Sequence, residues 1–272
     1  MDKLFSEFTG NIPENYDHYL GPMFFHRCAE DLAGRINKEP TDNILEIAAG
    51  TGIASRYLRD HLPAQTRLTA SDLNGDMLRH AEKKFKADEN IHFQVADAMD
   101  LPFDEQQFDA IACQFGIMFC PDKVQTFKEA HRVLAPAGRL IFSIWDSLEH
   151  NPLPRATNEM LADIFDGHAP EFLHLPFSYY DQQQIRHDVE AAGFSDVQFT
   201  TLDGECVFAE PHNAALGMIT GSPLRLEIEQ NNDTNIDHVV DTIATGIKEK
   251  FGERDCHVPM RWTVISARRS EN

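Results

Sequence analysis

The chain has 272 residues, 42% of them hydrophobic and 25% charged. At about 150 residues per domain this length suits one large domain with an appendage or two small ones, and the composition excludes a disordered chain. Acidic residues outnumber basic ones, 44 against 24, for a formal charge of −20, so neither nucleic acid nor an anionic membrane surface is an expected partner.

The opening run Met1-Asp2-Lys3-Leu4-Phe5-Ser6-Glu7 lacks a basic stretch leading into an apolar core. No apolar run approaches the roughly 18 residues of a membrane helix. The 5 cysteines are scattered and form no C-x-x-C pair, which argues against a disulfide framework or a zinc knuckle. A cytoplasmic chain without a bound metal is expected; its oligomeric state is not legible.

In chain order, Gly10 to Pro22 reads as an ordered loop and Met23 to Ile36 as a helix. Five short apolar runs follow: Asn43–Ala49, Arg67–Ser71, Ile91–Val95, Phe108–Gln114 and Arg139–Trp145. Several are continuous rather than alternating, as in strands covered on both faces. Helical patterns separate them at Ile53–His61, Asn74–Phe85 and Asp122–Leu134, with Asn74 placed as an N-cap. Strand alternating with helix means an α/β, doubly wound, mostly parallel sheet. Later helices are expected over Leu153–Phe165, Asp181–Ala192, Asn213–Gln230 and Asn235–Phe251, with strands at Ser195–Thr200 and Met260–Ala267.

Chemistry collects at the strand ends. The first strand runs into Glu46-Ile47-Ala48-Ala49-Gly50-Thr51-Gly52, a turn through which a ligand can approach the backbone. Asp72 ends the second strand, about 20 residues further on, where an acidic group commonly takes ribose hydroxyls. Asp97 with Ala98 ends the third strand, suited to an adenine edge. Gln114-Phe115-Gly116 closes the fourth. Each alone has an ordinary explanation: a tight turn, a capping aspartate, a packed aromatic. Together they occupy the rim where such sheets hold ligands. A dinucleotide fits the glycines, with Ser55 as the third small residue. Against it stands Glu46, whose carboxylate repels a pyrophosphate and favours a cationic or zwitterionic ligand.

These residues resemble the class I S-adenosylmethionine (SAM)-dependent methyltransferases, particularly the ubiquinone/menaquinone-biosynthesis-like small-molecule group. Ile44–Gly52 looks like that family's first motif, Ala70–Leu78 its second, Val95–Phe103 its third, Phe108–Met118 its fourth and His131–Leu140 its fifth. One departure is Ala48, where the family usually has glycine. The resemblance implies a seven-stranded Rossmann-like sheet with a C-terminal antiparallel hairpin and a helical cap. Residues 1–39 would form a segment over the cofactor, 40–150 the SAM-binding core, and 151–272 the rest, with an insertion at about 211–258.

It further implies SAM as cofactor. Gly50 and Gly52, with Ala48 and Thr51 in the same turn, would face its methionine portion, and Glu46 its ammonium. Asp72 would hold the ribose, Leu73 and Met77 the adenine, Asp97 and Ala98 the adenine edge, and Gln114 and Phe115 the sulfonium and acceptor. Tyr16 and Tyr19 resemble N-terminal tyrosines that close over SAM. The partner would be a small organic acceptor, lined by Phe172–Phe177, Leu216–Leu224 and Trp145-Asp146. Methyl transfer is an in-line displacement, so no catalytic residue is mandatory, although His26 and His150 are candidate bases. Two alternatives remain: a SAM-sensing or scaffolding protein, and an NAD-dependent oxidoreductase.

Overall fold

The computed structural model describes residues 10–167, 169–230 and 235–270. The opening Met1–Glu7 lies outside the described residues. Seven strands form one sheet: β1 (Asn43–Ile47), β2 (Arg67–Asp72), β3 (Ile91–Val95), β4 (Phe108–Gln114), β5 (Leu134–Trp145), β6 (Phe194–Phe208) and β7 (Cys256–Arg269). Their order is β3-β2-β1-β4-β5-β7-β6, parallel through β5 and antiparallel for the last two pairings. The strand order reverses between β1 and β4, and the crevice above that point is where such a sheet receives a ligand.

The runs of β1 and β4 become central strands because both faces are covered. Ile44, Leu45, Ile111, Ala112 and Cys113 are fully buried. Their covers are the helices α1 (Ile12–Asn15), α2 (His26–Ile36), α3 (Ile53–His61), α4 (Gly75–Glu82), α5 (Lys123–Val133), α6 (Pro152–Ile164), α7 (Gln182–Ala191), α8 (Pro211–Thr220), α9 (Leu224–Glu229) and α10 (Ile236–Phe251). Side-chain caps start four of them. Asn74 Oδ1 accepts from the backbone N–H of Asp76 at 2.8 Å and Met77 at 3.2 Å, and Asp122, Asp181 and Asn235 cap α5, α7 and α10. No helix among the described residues is long and apolar enough to cross a membrane.

Three readings need correction. The expected loop from Gly10 to Pro22 is helical: α1 passes into a π-helix, Tyr16–Phe25, that contains Pro22 and joins α2. Pro22 has no N–H for the carbonyl of His18 and its ring crowds that turn, and at the end of the segment the N–H of His26 reaches back five residues to the carbonyl of Gly21. The single helix expected over Asn213–Gln230 is two, α8 and α9, parted at Gly221-Ser222-Pro223. The hairpin strands are longer than expected. Beyond the Trp145–Trp262 pair, β6 and β7 continue together to Phe208 and Cys256 as a two-stranded ribbon. Within it Gly204 lies under the Trp262 ring, where a Cβ would sit 2.7 Å from a ring carbon. The ribbon, the π-helix, α6, α8 and α10 pack around one another above the carboxyl ends of the parallel strands.

Candidate functional site

That packing encloses a cavity of about 250 Å³ at the switch point. A second chamber of about 30 Å³ adjoins it, and the two share Tyr16, Phe25, Ala48, Gly50 and Gln114 as a neck. One end of the large cavity is polar and built from strand tips. Asp72 Oδ2 accepts from the backbone N–H of Gly50 at 2.8 Å, and Oδ1 accepts from that of Asn74 at 2.8 Å. Burial raises its pKa, while those two N–H groups pull it back. Asp97 Oδ1 accepts from the N–H of Met99 at 2.9 Å, which bends the chain after β3. Leu73, Met77, Ala98 and Met99 give this end an apolar slot.

The small chamber holds Glu46, only 1% exposed. Its carboxyl takes a 2.5 Å hydrogen bond from the Ser55 hydroxyl. Burial pushes its pKa up to about 8, against the lowering effect of Ser55 and with a further rise from Asp72. Gln114 Oε1, buried at the neck, has no hydrogen-bond partner, while its Nε2 donates to the Phe25 carbonyl at 3.4 Å. The other end of the large cavity is aromatic. Phe115 stacks face to face on Trp145, centroids 3.9 Å apart and planes 5° from parallel. Tyr16 stacks on Phe25 at 4.8 Å. Phe24, Phe172 and Phe177 complete this wall, and no lysine or arginine lines the cavity among the described residues.

The structure therefore gathers Tyr16, Ala48, Gly50, Asp72, Leu73, Met77, Asp97, Ala98, Gln114 and Phe115 around one space, with Glu46 and Thr51 in the chamber behind. Tyr19 and Gly52 lie outside it. Tyr19 packs its Cβ over Gly217 of α8. Gly52, at φ +78°, lets α4 come close: a Cβ there would stand 2.7 Å from that of Ala81. Thr51 donates to Asp17 Oδ1 at 2.9 Å, and Lys84 and His80 also pair with Asp17, which pins the π-helix to the core. His26 sits edge-on to Tyr57 and His150 is exposed; neither lines the cavity. Of the acceptor runs, Phe172, Leu173, Pro176 and Phe177 take part with Met218, Ser222 and Trp145, but Asp146 does not.

Sequence reasoning missed Phe24-Phe25 and the run Met118–Pro121 as lining residues. The aromatic doublet beside Tyr16 and the loop position after the fourth strand were the available signals.

Ala48 sits at φ +56°, a left-handed conformation that glycine adopts at lower cost. Its methyl fits against Gly116, where an added Cβ would lie 2.4 Å from that of Ala48 and 2.7 Å from Cys113 Sγ. Gly116→Ala should therefore destabilise the protein by about 1–3 kcal/mol through overpacking. Ala48→Gly should recover part of that loss in the double variant, and thermal unfolding of the four proteins in the cycle will read the coupling.

A family model described as a methyltransferase domain matches residues 44–138. The ubiquinone/menaquinone biosynthesis C-methyltransferase UbiE of Rickettsia bellii is 31% identical over 227 residues, covering 75% of this chain and 90% of that protein. Its namesake in Rhizobium johnstonii is 32% identical over 225 residues, covering 74% and 85%. Among solved structures, phosphoethanolamine N-methyltransferase 2 of Haemonchus contortus, in complex with S-adenosyl-L-methionine, superposes with a TM-score of 0.64 at 19% identity, over 98% of this chain and 60% of that one. The [4+2]-cyclase SpnF shares the fold at a TM-score of 0.54 and 17% identity, over 91% and 82%, so architecture by itself does not name a reaction. Sequence likeness over most of both chains does: this chain belongs to the SAM-dependent methyltransferases, in the group of the ubiquinone/menaquinone-biosynthesis enzymes.

Proposed function

We propose that the protein transfers the SAM methyl group to a ring carbon of an uncharged, electron-rich aromatic acceptor of the reduced-quinone type. What carries this reading is the acceptor half of the cavity: stacked aromatics and aliphatic side chains with, among the described residues, no basic group to recognise a carboxylate or phosphate. The relatives named as C-methyltransferases support the choice of carbon.

The residues present suit the cofactor. The Asp72 carboxylate, with one oxygen on Gly50 N–H and the other on Asn74 N–H, keeps lone pairs for a ribose diol. Leu73, Met77 and Ala98 would flank the adenine, with Asp97 at its edge. Glu46 and the unpartnered Gln114 Oε1 suit an ammonium at the neck. Bound SAM supplies a methyl already activated on a positively charged sulfur. The chain's own work is alignment and exclusion of water, by Phe115 and Trp145 on one side and the Tyr16–Phe25 stack on the other. Correct placement is worth roughly 7–11 kcal/mol in such a displacement. An acceptor ring carbon held in line with that methyl would take it in exchange for its own C–H proton, released to bulk solvent, with the electron pair of the broken bond left on sulfur.

Incubation with methyl-labelled SAM and a reduced, ring-demethylated prenyl naphthoquinone should give a product bearing the label on a ring carbon. An O-methyl ether, or no product from protein that binds S-adenosylhomocysteine, would overturn the assignment; the latter outcome is that of a sensor.

A further inference from the structure

The loop from Gly116 to Pro121 carries Met118, Phe119, Cys120 and Pro121 into the cavity, yet it has little structure of its own. It is a single 3₁₀ turn, closed by Phe119 N–H on the Gly116 carbonyl and Cys120 N–H on the Ile117 carbonyl, both at 3.0 Å. The carbonyls of Met118 and Cys120 instead accept from the Lys123 ammonium at 3.1 and 2.8 Å. Lys123 is the first residue of α5, where a cation opposes the helix dipole, so its position is not explained by helix formation.

The ammonium is held from the far side as well. It lies 5.1 Å from the centre of the Tyr179 ring. The Tyr179 hydroxyl donates to Asp188 Oδ2 at 2.8 Å, and Gln184 Nε2 donates to Oδ1 at 2.7 Å. A phenol that donates to a carboxylate has a more electron-rich ring, which strengthens its hold on a cation. Asp188 is 6% exposed and its charge attracts Lys123. None of these four side chains lines the cavity.

We infer that Lys123 is a positioning residue for the acceptor: gripped between the Tyr179 ring and two loop carbonyls, it fixes the wall against which the acceptor is aligned, while the cofactor half stands without it. This rests on the reading of that cavity half as the acceptor site. The four groups form one chain, Asp188 to Tyr179 to Lys123 to the loop, that ties α7 to the reaction space.

The test uses 1-naphthol as an aromatic occupant, with binding followed by tryptophan fluorescence in protein saturated with S-adenosylhomocysteine. Lys123→Met keeps the aliphatic stem and removes the charge. It should weaken 1-naphthol by about tenfold, for the loss of two charge-assisted bonds and a ring contact, and leave S-adenosylhomocysteine affinity within about twofold. Tyr179→Phe keeps the ring and cuts its link to Asp188; a loss of about threefold in the same direction is expected, and it carries the test should Lys123→Met fail to fold. Unchanged 1-naphthol affinity, an equal loss for both ligands, or wild-type protein that takes no 1-naphthol would overturn the inference. A failed carbon methylation with these affinities as expected would overturn only the proposed reaction.

Discussion

Asp72→Ala is expected to weaken S-adenosylhomocysteine binding by at least about a hundredfold, close to 3 kcal/mol by calorimetry. The size follows from two jobs done by one carboxylate. In the proposed cofactor site it would accept from the ribose diol, and it already ties Gly50 to Asn74 through a 2.8 Å hydrogen bond on each oxygen. Removal takes away the ligand's acceptor and frees the turn after β1 from the turn after β2. Asp72→Asn separates the two effects, because an amide oxygen still accepts from one N–H while the charge is gone. Its affinity should fall between wild type and alanine, with thermal stability near wild type. Wild-type affinity in the alanine variant would show that the sugar lies elsewhere.

The second large effect is a pH dependence centred on Glu46. In the free protein its carboxyl titrates near 8, so it is protonated and neutral at pH 7. An arriving ammonium favours the ionised form, and binding then releases a proton. S-adenosylhomocysteine affinity should therefore rise with pH by up to about tenfold per unit from pH 6 towards 8. Above that it should fall, as the ligand's own amine, with an α-amino pKa of about 8, loses its charge. Glu46→Gln should flatten the acidic limb; an unchanged slope in that variant would remove Glu46 from the site.

The same group sets a stability trend of opposite sign. Its unfolded value is the ordinary 4.5 and its folded value about 8. Below 4.5 both states are protonated and Glu46 carries no ionisation penalty. Between the two values the unfolded chain ionises and the folded one does not, so stability declines with rising pH by about 1.4 kcal/mol per unit. Above 8 the full penalty persists. Unfolding of the ligand-free protein, compared with Glu46→Gln across pH 4 to 9, should show this gap opening as pH rises through that window.

Much of this was legible in the chain itself. Buried parallel strands need apolar residues on both faces, so β1, β4 and β5 announced themselves as near-continuous runs. The cap Asn74 marked a helix start because a short polar side chain is the cheapest partner for a free N–H. Residues such as Glu46, Asp72, Asp97 and Gln114 were readable because a parallel sheet brings the ends of separate strands to one rim.

The rest depended on contacts between distant segments. Tyr16 and Tyr19 are three positions apart, yet the wide turns around Pro22 send one into the cavity and the other over Gly217 of α8. Gly52 looks like a ligand glycine in the motif, but what demands it is Ala81 of α4. Lys123 is one position of the expected helix Asp122–Leu134, and only Tyr179 and Asp188, more than fifty positions further on, give it a role by folding back beneath it. The sequence by itself thus determined the sheet, its ligand-bearing rim and the chemistry available there, because those follow from local periodicity and strand ends. Tertiary packing alone decided which aromatics wall the apolar end of the cavity and what holds them, since a side chain's neighbours across a cavity leave no mark on its own stretch of chain.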